Sequence, residues 1–247
     1  MSTSSVKKAQ PDAVKPGANP QQTRGLVIIG AVVAVALVAL VAVIALGGAS
    51  SGAIDYTDIP SSRTSDGGFV LGFPEAPVTL VEFADFACPH CQAYHPTMQQ
   101  FIREFVVTGK AKFEYRLMPT TGREVSLFTG KLLECAEELS PGSFWRGKDL
   151  MYTYATSGRY NADIGRQFAQ DIGVSYSDML ECSANAQQVT IDANLANTLS
   201  VQGTPAVMVR YDDSSTPVFV TVGTTTYDRG GAPFTALASM VNAANPS

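Results

Sequence analysis

The sequence predicts an α/β domain that carries a helical insertion and is preceded by one N-terminal transmembrane helix. Three observations predict it. A strand–helix–strand pattern runs from Val78 to Leu117, helical spacing fills Val125 to about Ser200, and Leu26 to Leu46 is apolar and free of charge. The chain has 247 residues and a net charge of −5. No basic patch or basic stretch interleaved with aromatics occurs, so nucleic acid is not an expected partner.

Residues 1–25 read as a disordered cytoplasmic tail, because Met1 to Thr23 is rich in Ser, Pro, Gln and Lys and poor in large apolar groups. Residues 26–46 follow as the membrane span. At about 1.5 Å per residue the run reaches about 30 Å, the thickness of a bilayer's hydrocarbon core. The rival is a cleaved signal peptide, with Gly47 and Ala49 as the small residues before the cut. Against it, the run exceeds the roughly 7–15 apolar residues usual there. No Cys follows the run, as a lipoprotein signal would need. Lys7, Lys8, Lys15 and Arg24 precede the span, whereas Asp55 and Asp58 are the first charges after it. The positive-inside bias then leaves the tail in the cytoplasm and sends the rest of the chain outside the cell membrane. Residues 47–68, rich in Gly and Ser, read as a flexible tether.

Beyond the tether about 190 residues remain, enough for one sizeable core. Val78–Phe83 reads as the first strand. The helix that follows reaches about Val107, and Ala111–Leu117 is a second strand in which Lys112, Glu114 and Arg116 alternate with apolar neighbours. Pro141-Gly142, Ser157-Gly158 and Gly173 divide the insertion into separate helices. Ala206–Tyr211 and Val218–Val222 read as a hairpin, and Ala232–Ala244 as a closing helix.

The chemistry sits where the first strand ends. Cys88-Pro89-His90-Cys91 opens the helix, so the first sulfur lies at a helix N-terminus, where free N–H groups and the macrodipole favour an anion. A thiolate is that anion, and it is the species that attacks disulfides and leaves from them. Pro89 suits the first helical turn, and a charged or hydrogen-bonding His90 beside the sulfur would lower its pKa further. The competing reading is half a zinc site, which needs about four ligands. His90 and His95 are the only histidines, and the other cysteines, Cys135 and Cys182, stand alone. Redox chemistry is the expectation, with no resident metal or cofactor other than a redox-active disulfide.

Residues Val81 to Cys91, the tripeptide Gly203-Thr204-Pro205 and the pair Phe144-Trp145 together resemble the DsbA-like thiol:disulfide oxidoreductases of the thioredoxin superfamily. The resemblance covers roughly Gly72 to Asn242. It implies a thioredoxin fold over 69–247 with its helical insertion at about 122–200. It also implies a cis Pro205 packed against the Cys88–Cys91 pair, with the backbone of Thr204 free to bind an extended substrate peptide. In the family, a buried acid at the position of Glu82 moves protons to and from the inner cysteine. From the residues alone Glu82 also fits a partly wet strand face, although burying an unpaired carboxylate asks for a reason. Asp85 reads as solvated or capping.

Cys135 and Cys182 are an even remainder in an oxidising compartment, which favours a structural disulfide. Two buried thiols or a second, relaying redox pair are the alternatives. Trp145, Phe144, Met151, Tyr152 and Tyr154 read as core of the insertion. His95 fits either a tuning role or packing at the edge of the active-site helix.

The function expected is that of an extracytoplasmic dithiol oxidase anchored in the cell membrane. Its partners would be unfolded exported proteins bearing cysteines and, by the resemblance, a quinone-linked membrane reoxidase of the DsbB or vitamin-K-epoxide-reductase type. Thr204 occurs at this place in isomerases, which keeps an isomerase or reductase open; no dimerisation region is expected before the catalytic one, which weighs against isomerase. A non-catalytic metal-assembly module of the same fold is the alternative from another class.

Overall fold

The computed structural model describes residues 52–246. The expected tail 1–25, the expected span 26–46 and the first part of the tether lie outside the described residues. Among the described residues, no helix is long and apolar enough to cross a membrane.

One compact unit opens at Ile54. The tether expected over 47–68 is therefore too long. Ile59 is buried, and Ser61–Arg63 (β1) pairs antiparallel with Phe69–Leu71 (β2) at the sheet edge. Strands of three residues carry too little periodicity to stand out in a Ser-rich stretch.

The sheet continues through Thr79–Ala84 (β3), Lys112–Leu117 (β4), Ala206–Arg210 (β5) and Val218–Phe219 (β6), in the order β1-β2-β4-β3-β5-β6. Only β3 and β4 run parallel. Between them passes Pro89–Phe101 (α1), which continues as a π-helical turn over Ile102–Val106. The insertion comprises Arg123–Leu139 (α2), Ser143–Thr156 (α3), Ile164–Ile172 (α4), Tyr176–Ser183 (α5) and Gln188–Thr198 (α6). Thr221–Val222 (β7) and Thr225–Thr226 (β8) form a separate small hairpin, so the expected second hairpin strand splits in two. Phe234–Ala244 (α7) closes the chain.

Alternation along the central strands assigns their faces. Leu80 and Ala84 of β3, with Phe113, Tyr115 and Leu117 of β4, join the main core, which also holds Cys91, Met98, Phe144, Trp145 and Tyr152. Phe144, Trp145, Met151, Tyr152 and Tyr154 are all buried, so they are core, as the sequence suggested, and the indole N–H of Trp145 donates to Ser61 Oγ at 3.0 Å. Val81 and Phe83 face the other way, into a smaller cluster with Ala196, Val201, Ala206 and Met208. Cys135 of α2 is bonded to Cys182 of α5, a staple within the insertion.

The charged residues of β4 are not solvated. Lys112, Glu114 and Arg116 are all buried, and Arg116 is the hub of a closed ion network. Its Nε donates to Glu114 Oε1 at 2.6 Å, its Nη1 to Asp192 Oδ1 at 2.9 Å and its Nη2 to Asp66 Oδ1 at 2.8 Å. A Cβ on Gly68 would lie 2.1 Å from Arg116 Cζ, so only glycine lets the loop after β1 close over the guanidinium.

Removing the hub leaves buried carboxylates without their cation, a change that typically costs 3–5 kcal/mol. Arg116→Met is expected to lower unfolding stability by about that much, read from the urea midpoint at unchanged slope. A loss under about 1 kcal/mol would mean that Arg210, which also reaches Glu114 Oε1 at 3.0 Å, carries the network alone.

Candidate active site

Strand β3 ends at Ala84, and α1 begins at Pro89 after a short turn. Cys88 is the N-cap in extended geometry, Pro89 holds the first helical position and the N–H of Gln92 closes the first turn on Cys88 O at 3.0 Å. The backbone N–H groups of the first turn therefore converge on the Cys88 sulfur. Its thiol donates to Thr204 O at 3.4 Å across the cis Thr204–Pro205 peptide. Burial opposes ionisation of Cys88, but backbone hydrogen bonds from Cys91 and His90 and the side chain of Thr204 outweigh it, and the pKa falls below that of an ordinary thiol. His90 enters through its backbone, and its side chain is exposed. The expected influence of its imidazole has no counterpart in these contacts.

Cys91 is the opposite case. It is fully buried, and desolvation together with the nearby Glu82 pushes its pKa far up, although the Asp85 N–H donates to its sulfur at 3.4 Å. Both cysteines are free thiols in this structure. One helix turn thus holds a sulfur that ionises readily beside one that strongly resists it.

Glu82 lies on the main-core face of β3 and is 1% exposed, which rules out the partly wet face. Its Oε1 has no hydrogen-bond partner, and the buried Tyr152 hydroxyl lies near its charge. Desolvation raises its pKa to about 7, with the charge of Lys148 opposing. Lys148 of α3 was not anticipated. Its Nζ is fully buried, pairs with Asp149 Oδ1 at 2.9 Å and sits 5.6–5.9 Å from the ring centroids of Phe113, Tyr115 and Tyr152. A Lys between Trp145 and Tyr152 at helical spacing, on an otherwise apolar face, was the signal available in the sequence.

His95 stacks on Tyr152 with ring centroids 4.1 Å apart and lies 3.6 Å from Asp149 Oδ1. Burial and the Lys148 charge take its pKa down to about 3, so it is a neutral packing group. Asp85 is buried rather than solvated. Its carboxylate accepts from the N–H groups of Ala87, Thr120, Thr121 and Gly122 and from Ser126 Oγ, so the capping reading stands in an extended form.

The raised pKa of Glu82 makes stability depend on pH. The folded state holds a proton that the unfolded chain releases near pH 4.5, so this contribution is complete below that pH and disappears as pH rises to about 7. The span corresponds to about 3 kcal/mol. Glu82→Gln is expected to remove that slope, leaving a variant more stable than wild type at pH 8 but not at pH 4, as denaturant midpoints at the two values would show. Thiolate absorbance of the reduced protein should report one group, Cys88, ionising below the ordinary range, and its loss in Cys88→Ala would verify the assignment.

The thioredoxin family matches residues 64–217. The chain is 28% identical over 149 residues to disulfide bond formation protein D of Bacillus subtilis, covering 57% of this chain and 66% of that one. It is 32% identical over 169 residues to the Na(+)/H(+) antiporter NhaA 3 of Salinispora tropica, covering 67% of this chain and only 24% of the antiporter. Among solved structures, BdbD from Bacillus subtilis in its oxidised form superposes with a TM-score of 0.58 at 21% identity, covering 76% of this chain and 98% of that one. The α-DsbA1 of Wolbachia pipientis does so with a TM-score of 0.56 at 18% identity, covering 70% and 88%. At these identities the structural likeness speaks for the fold. With the profile match over most of the domain, it follows that the chain belongs to the thioredoxin family and carries a helical insertion in that fold.

Proposed function

We propose that this protein is a thiol:disulfide oxidoreductase that works as a dithiol oxidase, donating a Cys88–Cys91 disulfide to exported proteins. The observation that carries the proposal is the asymmetry of the two sulfurs. Cys88, at the helix start, is stabilised as a thiolate, whereas Cys91 is fully buried and holds its proton.

In the oxidised enzyme a substrate thiolate attacks Cys88 Sγ, and the bond to Cys91 breaks. Cys91 takes up a proton, for which Glu82, with a pKa near 7, is the adjacent donor. A second substrate thiolate then attacks the substrate sulfur of the mixed disulfide, and Cys88 leaves as a thiolate. Its low pKa makes it the better leaving group, and the substrate departs oxidised by two electrons. Strand β5 begins directly after Pro205, and the backbone of Thr204 beside Cys88 is where a substrate strand would dock. The names of the Bacillus relatives agree with this chemistry. An extracytoplasmic location, an anchor at 26–46 and reoxidation by a quinone-linked membrane enzyme complete the proposal. The uncharged run 26–46 and the basic residues before it support the location and the anchor.

Cys91→Ala is expected to accumulate mixed disulfides with exported proteins, visible on non-reducing gels and lost on reduction, because the internal thiol that ejects a trapped substrate is gone. Cys88→Ala should trap nothing. The wild-type protein, isolated without added redox reagent, should be oxidised and should convert a reduced unfolded protein to its disulfide form one for one, whereas an isomerase would be isolated reduced. Bound metal together with an absence of trapped species would favour the metal-assembly reading instead.

A further inference from the structure

Asp85 lies three residues before Cys88, is fully buried and takes no part in the exchange chemistry above. Its Oδ1 accepts from Ala87 N at 3.0 Å and Ser126 Oγ at 2.5 Å. Its Oδ2 accepts from three successive amides, Thr120 at 2.8 Å, Thr121 at 2.7 Å and Gly122 at 2.9 Å. Consecutive N–H groups aimed at one oxygen form a nest for an anion, here one supplied by the chain itself. The carboxylate thereby clamps the loop between β4 and α2 onto the loop that presents Cys88.

Two further features show that this clamp holds the loop tightly. A Cβ on Gly122 would stand 2.0 Å from Ser126 Oγ and 2.8 Å from Ala87 Cβ, so the loops touch where only glycine fits. Arg123, the next residue, is held at a φ of 45°, in the left-handed region that side chains rarely enter, and such a conformation persists only where surrounding contacts fix it. The clamped loop then reaches across the site. Exposed Thr120 Oγ1 meets Thr204 Oγ1 at 2.8 Å, and Thr204 O in turn accepts from the Cys88 thiol.

We infer that Asp85 is a positioning residue and Thr120 a specificity-determining one. Through the Asp85–Thr120–Thr204 chain, the β4–α2 loop becomes a second wall of the groove in which an extended peptide docks beside Cys88. The inference rests on the exchange reading of the site. A small dithiol needs only the sulfur, whereas a peptide needs both the sulfur and the wall. Loss of the clamp therefore acts on peptide docking selectively.

Asp85→Asn tests this, because an amide has one acceptor oxygen and cannot face donors on both sides. The oxidised enzyme is mixed with a reduced, unfolded dithiol peptide and, separately, with dithiothreitol. The ratio of the two second-order rate constants is expected to fall about tenfold, the equivalent of one hydrogen bond to a charged group. The fall should arise from a higher half-saturating peptide concentration. Thr120→Val, which leaves the nest intact, is expected to lower the ratio about threefold and decides the matter if Asp85→Asn does not fold. Equal slowing of both reactions, or an unchanged ratio in Thr120→Val, overturns the inference while leaving the exchange reading in place. A wild-type protein that oxidises neither compound overturns the exchange reading itself.

Discussion

Strand β3 lies between β4 and β5 with a packed core on each face, and every polar group it carries is therefore dry. That single constraint shapes the site. A carboxylate withdrawn from water is held by donors, is paired with a cation or gives up its charge, and the end of β3 contains two of these cases three residues apart. Glu82 has an unpartnered oxygen and an elevated pKa. Asp85 has its lone pairs filled by the amides and hydroxyl that surround it. One carboxyl is thereby left free to exchange a proton, and the other is committed to holding backbone in place.

The helical insertion completes this environment. It brings Lys148 and Tyr152 of α3 onto the main-core side of the sheet, where Lys148 opposes the desolvation of Glu82 and depresses the pKa of His95. Its pairing with Asp149, which also accepts from Tyr56 Oη at 2.6 Å, ties this buried cation to the segment entering β1. The insertion is thus part of the electrostatics around Cys91, in addition to covering the sheet.

The sequence made the fold legible where periodicity ran long. The span from β3 to β4, the first three helices of the insertion and the closing helix fall within a few residues of expectation, because each buries a continuous stripe, whereas the break between α5 and α6 was not expected. It failed at β1, β2, β7 and β8, whose two or three residues define no period. In the site, Cys88 and Cys91 were legible because the motif spacing places them at a helix start, and the cis Pro205 only through the family resemblance. The environment of Glu82 required knowing that both faces of β3 are covered. Lys148 showed only as a lone cation on an apolar helix face and Thr120 not at all, since each matters through a neighbour more than 60 residues away in sequence. Asp85 was half legible: a short acid before a helix signals capping, but the helix it serves, α2, begins at Arg123, beyond the whole of α1 and β4.

The two cysteines show how little covalent difference the chemistry needs. Both occupy the first turn of one helix, separated by Pro89 and His90, and both thiols are largely withdrawn from solvent. What separates them is the direction in which hydrogen bonds and charges act. Cys88 has the amides of the helix start and the Thr204 side chain, while Cys91 has one amide from Asp85, deeper burial and the nearby carboxyl of Glu82. The gap in proton affinity between the sulfurs follows from burial, backbone path and the side chains of Thr204 and Glu82. Breaking their disulfide then leaves charge on Cys88 and a proton on Cys91, the arrangement with the smallest buried charge. A thiolate stabilised at Cys88 lowers the free energy of a reduced pair relative to its disulfide, which is the direction the proposed oxidase role requires.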